Sequence, residues 1–413
     1  MTRTLPIALI AVLIAVPLLA QDAAPARFFI ERIEVRNAKR VSTDVVVAES
    51  RLNEGQEYSE TDLSDAAARL SRLPFLLSAD FSLEKGSERG RHVLVITINE
   101  TKPFFYRLDI RPIFDNSFIG VRETDSISAS DSEAFLGFRW FVGRRGAIHI
   151  GLQYEDDRRT YTEDYGAWAI GYTQYDLFGT NAFATVNLKR THGGSGITPQ
   201  VVIGVPLSAN QTVTVGYNDV QIEGEWFEVM GQRLRDDESQ RVGSLTWSYN
   251  TTNHPFLPTD GTLLSVTPIV AWRDDAYFQY IYDDNGQLTS VHAVILHRRS
   301  YGLDASAARY WEVTDRTSLS AGIDAGVAQI DDAAAPVDNS YDATYVIGRA
   351  GYSYSLWDRS RRRNGDSRLE VNLLAAKRED DPRSDHYYLY DFDREVVQLS
   401  ASWVRRSSWG TVR

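Results

Sequence analysis

The chain has no cysteine, which excludes disulfides, thiolate metal sites, a cysteine nucleophile and the lipidated cysteine of a lipoprotein. Positive charge is in deficit: 44 Lys and Arg face 56 Asp and Glu, for a net charge of -12. A phosphate-binding surface spread over the whole chain, and with it a nucleic-acid partner, is therefore not expected. After the first twenty residues no stretch approaches the roughly 18 apolar residues that a helical membrane span requires, so helical membrane proteins are excluded. Also absent are a G-x-S-x-G elbow, an H-E-x-x-H pair and a phosphate-cradling glycine loop. The HGGSG run at 192–196 lacks a strand–turn–helix setting and reads as a surface loop. His254, His292 and His297 fall on turn or loop margins, and Asp331-Asp332 and Asp380-Asp381 read as solvated acids. No enzyme, metal site or cofactor is expected.

What the chain does have is aromatic residues, 21 Tyr, 17 Phe and 9 Trp beside two Met, an inventory that favours strands and interfaces. Its opening, MTRTLPIALIAVLIAVPLLA, joins Arg3 to an apolar run ending in Ala20, and reads as a secretory signal over 1–20. Residues 28–100 then change character twice. FFIERIEVRN alternates like a half-buried strand, and STDVVVAESRL offers Ser42 or Thr43 as the cap of a short helix. In SETDLSDAAARLSRL, Ser59 caps a second helix whose Leu63, Ala66, Ala67 and Leu70 share one side. SADFSLEKG and RHVLVITINE complete a β-α-α-β-β order.

That order, the stretch GQEYSETDLSDAAARLSRLPFLLSADFSLE and the closing VLVITINE resemble a POTRA domain, the periplasmic module of the BamA/TamA-type outer-membrane barrel family. The resemblance covers residues 28–100 in a single copy. It implies a module that docks extended chains by adding a strand to its sheet edge.

From 103 to 413 helical periodicity disappears. Ile148, Ile150 and Leu152 oppose His149, Gly151 and Gln153; Leu319, Ala321, Ile323, Ala325 and Val327 oppose Ser318, Ser320, Gly322, Asp324 and Gly326. Such runs match the 9–11 tilted residues with which a β-strand crosses a bilayer, where a sheet survives only if it closes on itself. The pattern predicts an antiparallel barrel of about fourteen strands (12–16), with short turns on the periplasmic side and long loops at 114–132, 222–239, 273–299, 329–342 and 378–394. One short turn is the corner in SYNTTNHPFLPTDGTLLSV, where Pro255, Phe256, Pro258, Asp260 and Gly261 reverse the chain. It resembles a hairpin of the same family, as does GYTQYDLFGTN with Asp176, Leu177, Phe178 and Gly179.

Charged residues within the strands, namely Arg139, Asp304, Arg309, Asp324, Arg349, Arg368 and Glu370, are expected to face the lumen, because a basic group facing mid-membrane lipid costs about 2–4 kcal/mol. The basic run RSRRRNGDSR at 359–368 is expected to face the periplasm. The chain also departs from the family. Residues 330–345, IDDAAAPVDNSYDATY, lack its Val-Arg-Gly-Phe/Tyr loop signature, and RRSSWGTVR lacks a terminal aromatic residue. The resemblance implies an outer-membrane protein of a Gram-negative bacterium acting in membrane-protein assembly or translocation. Its expected partners are membrane lipids and, at the front domain, extended client polypeptides or a periplasmic protein. The alternative is a channel or structural barrel without insertase activity.

Overall fold

A bulge between Ile30 and Arg32 shifts the alternation of β1 (Arg27–Arg36), and so both Ile30 and Ile33 turn toward the same side. A computed structural model describes residues 26–71, 73, 75–109, 132–143, 145–156, 165–190, 197–208, 210–222, 226–229, 232–235, 238–253, 258–282, 287–332, 341–357, 366–382, 394–407 and 410–412. The expected signal segment lies outside these. After β1 the front domain continues through α1 (Thr43–Ser50), β2 (Gln56–Ser59), α2 (Glu60–Ser71), β3 (Leu76–Lys85) and β4 (Arg91–Glu100). Its sheet runs β2-β1-β4-β3, with β1 and β4 parallel and the outer strands antiparallel to them. The four-residue β2 is an addition to the order read from sequence.

The two helices form for different reasons. Asp62 Oδ2 accepts from Ser59 N at 2.9 Å while Ser59 Oγ accepts from Asp62 N at 3.1 Å, a reciprocal cap that starts α2. Ser42 occupies the N-cap of α1 without any side-chain cap bond, so α1 depends on burial of Val45 and Val46 against Ile30, Leu70, Leu94 and Ile96. Each such side chain contributes roughly 1.5–3 kcal/mol of transfer free energy. On the other side of the sheet Arg36 reaches across β4 to Glu84 at 2.7 Å, and Val95, in the strand it crosses, is buried.

The second unit is a ring of strands. It comprises β5 (Phe104–Asp109), β6 (Ser132–Val142), β7 (Gly146–Asp156), β8 (Tyr165–Leu177), β9 (Ala182–Arg190), β10 (Thr198–Pro206) and β11 (Gln211–Ile222). After a small hairpin, β12 (Trp226–Val229) and β13 (Gln232–Arg235), follow β14 (Glu238–Asn250), β15 (Gly261–Tyr282), β16 (Leu288–Thr314) and β17 (Thr317–Asp332). The ring ends with β18 (Tyr341–Ser355), β19 (Asp366–Pro382), β20 (Arg394–Ser407) and β21 (Gly410–Val412). Each long strand pairs antiparallel with the next, and β21 closes the barrel between β20 and β5. The fourteen long strands match the number read from sequence, and β21 is the addition.

Register places the apolar set on one surface. Leu136, Phe138 and Trp140 of β6 lie opposite Leu152, Ile150 and Ile148 of β7, and Ile150 and Ile148 lie opposite Ile170 and Tyr172 of β8. Leu136, Phe138, Trp140, Ile150, Leu152, Ile170 and Tyr172 are all exposed, as are Leu303, Leu319, Val327 and Leu373 farther round the ring. This outward greasy belt needs an apolar solvent. Short connections at 143–145, 178–181, 207–210, 251–260, 315–316 and 356–365 share one rim with the front domain, here the near rim. Residues 273–282 and 288–299, expected within a loop, instead extend β15 and β16 beyond the far rim as a paired ribbon.

Candidate functional site

Phe75, buried in the front-domain core, is also the wedge that joins the two units. Its ring meets Phe141 of β6 edge-on at 5.2 Å and Tyr175 of β8 at 5.7 Å. Both partners lie in the inward register of their strands at the near rim, so the front domain seats on the mouth of the barrel. Arg51, the left-handed C-cap of α1, reaches Gln211 O at 3.3 Å and Thr212 Oγ1 at 3.4 Å on β11. Beside it Glu49 pairs with Arg69 at 3.1 Å, both mostly buried; burial pushes the Glu49 carboxyl up, against the pull of Arg69 and Arg51. Arg145 bonds Asp176 at 2.8 Å, tying the β6–β7 turn to the β8–β9 turn.

Away from this joint the front domain offers a sheet edge. In the order β2-β1-β4-β3, β3 (Leu76–Lys85) is an edge strand, with β4 its strand partner among the described residues. Its Ala79, Phe81 and Leu83 turn toward the helices, leaving Ser78, Asp80, Ser82 and Glu84 on the opposite face. An extended polypeptide can add to such an edge through its backbone, with little demand on its sequence.

The lumen wall is polar and notched by glycines. His149 and Asn187 are 2.7 Å apart, and Asn187 donates to Gln200 at 3.0 Å, a ladder that crosses β8 at Gly171. A Cβ on Gly171 would come within 2.1 Å of Asn187 Oδ1, so glycine is what admits the ladder. On the other wall Arg349 bonds Asp324 at 2.6 Å and Tyr345 donates to Asp304 at 3.0 Å over Gly326. Arg368 Nε donates to Asp366 at 2.9 Å, and Asp366 also accepts from Ser355 Oγ at 2.6 Å. Thr173 with Thr185, Ser265 with Ser306, and Ser318 with Ser353 complete cross-strand hydroxyl pairs.

A family model described as POTRA, surface antigen variable number repeat, matches residues 28–101. Residues 28–101 are thus a POTRA domain, and they stand ahead of a barrel. No curated protein matches it in sequence. Among solved structures it is similar to BamA from Haemophilus ducreyi lacking POTRA domains 1–3, at 10% identity and a TM-score of 0.41, over 92% of this chain and 85% of that one. It is also similar to CdiB from Acinetobacter baumannii, at 10% identity and a TM-score of 0.42, over 92% of this chain and 68% of that one.

Of the sequence-selected charges, Arg139, Asp304, Asp324, Arg349, Arg368 and Glu370 fall in inward register. Arg309 does not. It shares a face with Leu303 and Trp311 on the outside, five residues before the end of β16. It donates to Thr262 at 2.7 Å and lies 4.0 Å from Asp260 at the near rim, a depth where an outward charge costs about 0–1 kcal/mol.

In the TDG corner, Asn253 Oδ1 accepts from Thr259 N at 3.0 Å and Asp260 N at 3.3 Å. Gly261 has φ +110, and a Cβ there would meet Thr251 O at 2.4 Å. Pro258 lies within the corner, whereas Pro255 and Phe256 lie outside the described residues. In the second turn Asp176, Phe178 and Gly179 all have positive φ, and Asp176 Oδ1 accepts from Asn181 N at 2.9 Å. Leu177 pairs with Ala182, while Phe178 is 96% exposed. Sequence reasoning missed Phe75, Phe141, Tyr175 and the His149–Asn187–Gln200 ladder. The position of His149 opposite Ile148 and Ile150 was the available signal for the last.

Proposed function

We propose that the protein is exported by its first twenty residues to the outer membrane of a Gram-negative cell. There its barrel spans the bilayer, and its POTRA domain works in the periplasm on extended polypeptides during membrane-protein assembly or translocation. No bond is made or broken. The observation that carries this reading is that β3, ten residues long, is an edge strand of a domain seated at the barrel mouth. The barrel also has a seam, where β21 stands between β20 and β5. Among the described residues Gly410–Val412 bridge that seam, whereas β19 and β20 pair from Asp366 to Arg378.

Two measurements test the proposal. A photo-crosslinker at Ser82 should capture extended client chains in cells, and purified protein in liposomes should accelerate the folding of a client barrel. Absence of both refutes it. A second reading, a channel or structural barrel without insertase activity, is motivated by the missing loop signature in 330–345. It predicts ion conductance through planar bilayers with no acceleration of client folding.

A further inference from the structure

A cavity of about 440 Å³ opens where the POTRA domain overhangs the outer wall of the barrel, lined among others by Asp44, Val142, Arg145, Gly146, Tyr172 and Gln174. Register places Val142, Gly146, Tyr172 and Gln174 on the outward face at the near rim, so the cavity lies outside the lumen. Its upper border continues into the exposed apolar belt through Val142 and Trp140. Among the described residues its lower border carries the Asp44 carboxylate in the first turn of α1 and the Arg145 guanidinium on the β6–β7 turn, charges of opposite sign. Arg145 is 41% exposed while one of its nitrogens holds Asp176 at 2.8 Å, and a guanidinium has further N–H donors for an anion. Tyr172 lies over Gly146 and donates to Gln174 at 2.5 Å, placing an amphipathic ring at the border between greasy belt and polar floor.

We propose that this cavity binds the headgroup of a phospholipid carrying a primary ammonium beyond its phosphodiester, as phosphatidylethanolamine does. The ammonium sits at Asp44, the phosphodiester at Arg145 beside the Tyr172 ring, and the acyl chains run up the belt past Val142. The opposite charges select a zwitterion over an anionic lipid, and the adjoining apolar wall selects a lipid over a soluble phosphate ester. Such a lipid bridges α1 of the POTRA domain to the β6–β7 turn, fastening the domain to the membrane side of the mouth.

The test uses the full chain in nanodiscs containing equal amounts of phosphatidylethanolamine and phosphatidylcholine with identical acyl chains, followed by stepwise delipidation and native mass spectrometry. One ethanolamine lipid should be retained with an enrichment of about fivefold or more over the bulk ratio, equivalent to about 1 kcal/mol. Asp44→Asn should return the retained lipid to the bulk ratio, with heat-modifiable gel migration showing that the barrel is intact. A series of headgroups with one, two and three N-methyl groups, tested on the unmutated chain, should show retention falling with each donor removed. Retention at the bulk ratio, indifference to methylation, or an unchanged preference in an intact Asp44→Asn variant would each overturn the proposal. Stronger retention of an anionic lipid would do the same.

Discussion

Glu100, the last residue of β4, holds the loop between β1 and α1 by a single oxygen. Its Oε1 accepts from the backbone N–H of Lys39, Arg40 and Val41 at 2.8, 2.9 and 3.0 Å, while Oε2 accepts from Arg40 Nε at 3.0 Å. The side chain is 5% exposed. Replacing it by alanine leaves those donors without an acceptor. Hydrogen bonds to a charged group contribute about 1.5–3 kcal/mol each, but water can replace the carboxylate at the exposed Lys39 and Arg40. Only Val41, itself buried, has no such substitute. Glu100→Ala should therefore cost about 2–4 kcal/mol of local stability.

The assay is amide hydrogen exchange on the full chain, read at residues 39–41. At 1.4 kcal/mol per factor of ten, exchange there should accelerate by roughly two orders of magnitude, up to the limit set by opening of the whole domain. Glu100→Gln, which keeps one acceptor but sets an amide N–H₂ against Arg40, should fall between alanine and wild type. Burial raises the Glu100 carboxyl pKa, but the backbone N–H bonds from Arg40, Val41 and Lys39 outweigh it and hold the group below its ordinary value. Because the folded pKa is the lower one, the contribution is present above the unfolded value and is lost as pH falls through the folded one. Protection at 39–41 should follow that course in wild type and be flat with pH in the alanine variant. A change of less than tenfold in Glu100→Ala, or an unaltered pH profile, would refute the reasoning.

Gly261→Ala should cost about 2–3 kcal/mol through positive φ and contact with the backbone of Thr251, read as lower refolding yield and loss of heat-modifiable migration. Phe141→Ala removes the barrel side of the joint and should loosen the POTRA domain, read as faster proteolytic release. Phe75→Ala in addition opens the domain core at about 3–5 kcal/mol, so it alone should also accelerate exchange in α2 and β3. A disulfide between cysteines placed at Tyr106 and Gly410, neighbours across the seam, should abolish client folding under oxidising conditions and restore it on reduction.

Alternation was legible wherever the two faces of a strand meet different solvents, which is why Ile148, Ile150 and Leu152 of β7 and Leu319, Ile323 and Val327 of β17 were each read as sharing one face. It failed where that contrast disappears. Beyond the far rim both faces of β15 and β16 leave the greasy belt, and Asp274, Asp275 and their neighbours read as loop although they stay paired. The four residues of β2 and three of β21 are too short for any period to register. Arg309 was placed inward on cost alone, and cost depends on depth, which a sequence does not give. The POTRA–barrel joint rests on Phe75, Phe141 and Tyr175, separated by up to a hundred residues, and each taken alone reads as ordinary core.

Parity explains where the wall is weakest. An even ring of alternating strands closes antiparallel throughout and returns both chain ends to one rim. Here fourteen long strands fulfil the second condition, with β5 leaving the near rim and β20 returning to it. Yet β20 does not pair with β5. β21, antiparallel to β20, inserts between them, making an odd ring of fifteen in which one neighbouring pair must run parallel. That pair is β21 with β5, joined over Gly410–Val412 only, and parallel pairing is somewhat weaker per residue. The β20–β21 junction is equally short, three pairs from Arg405 to Ser407, and the remaining junctions are longer, so the wall is held most weakly on the two sides of β21.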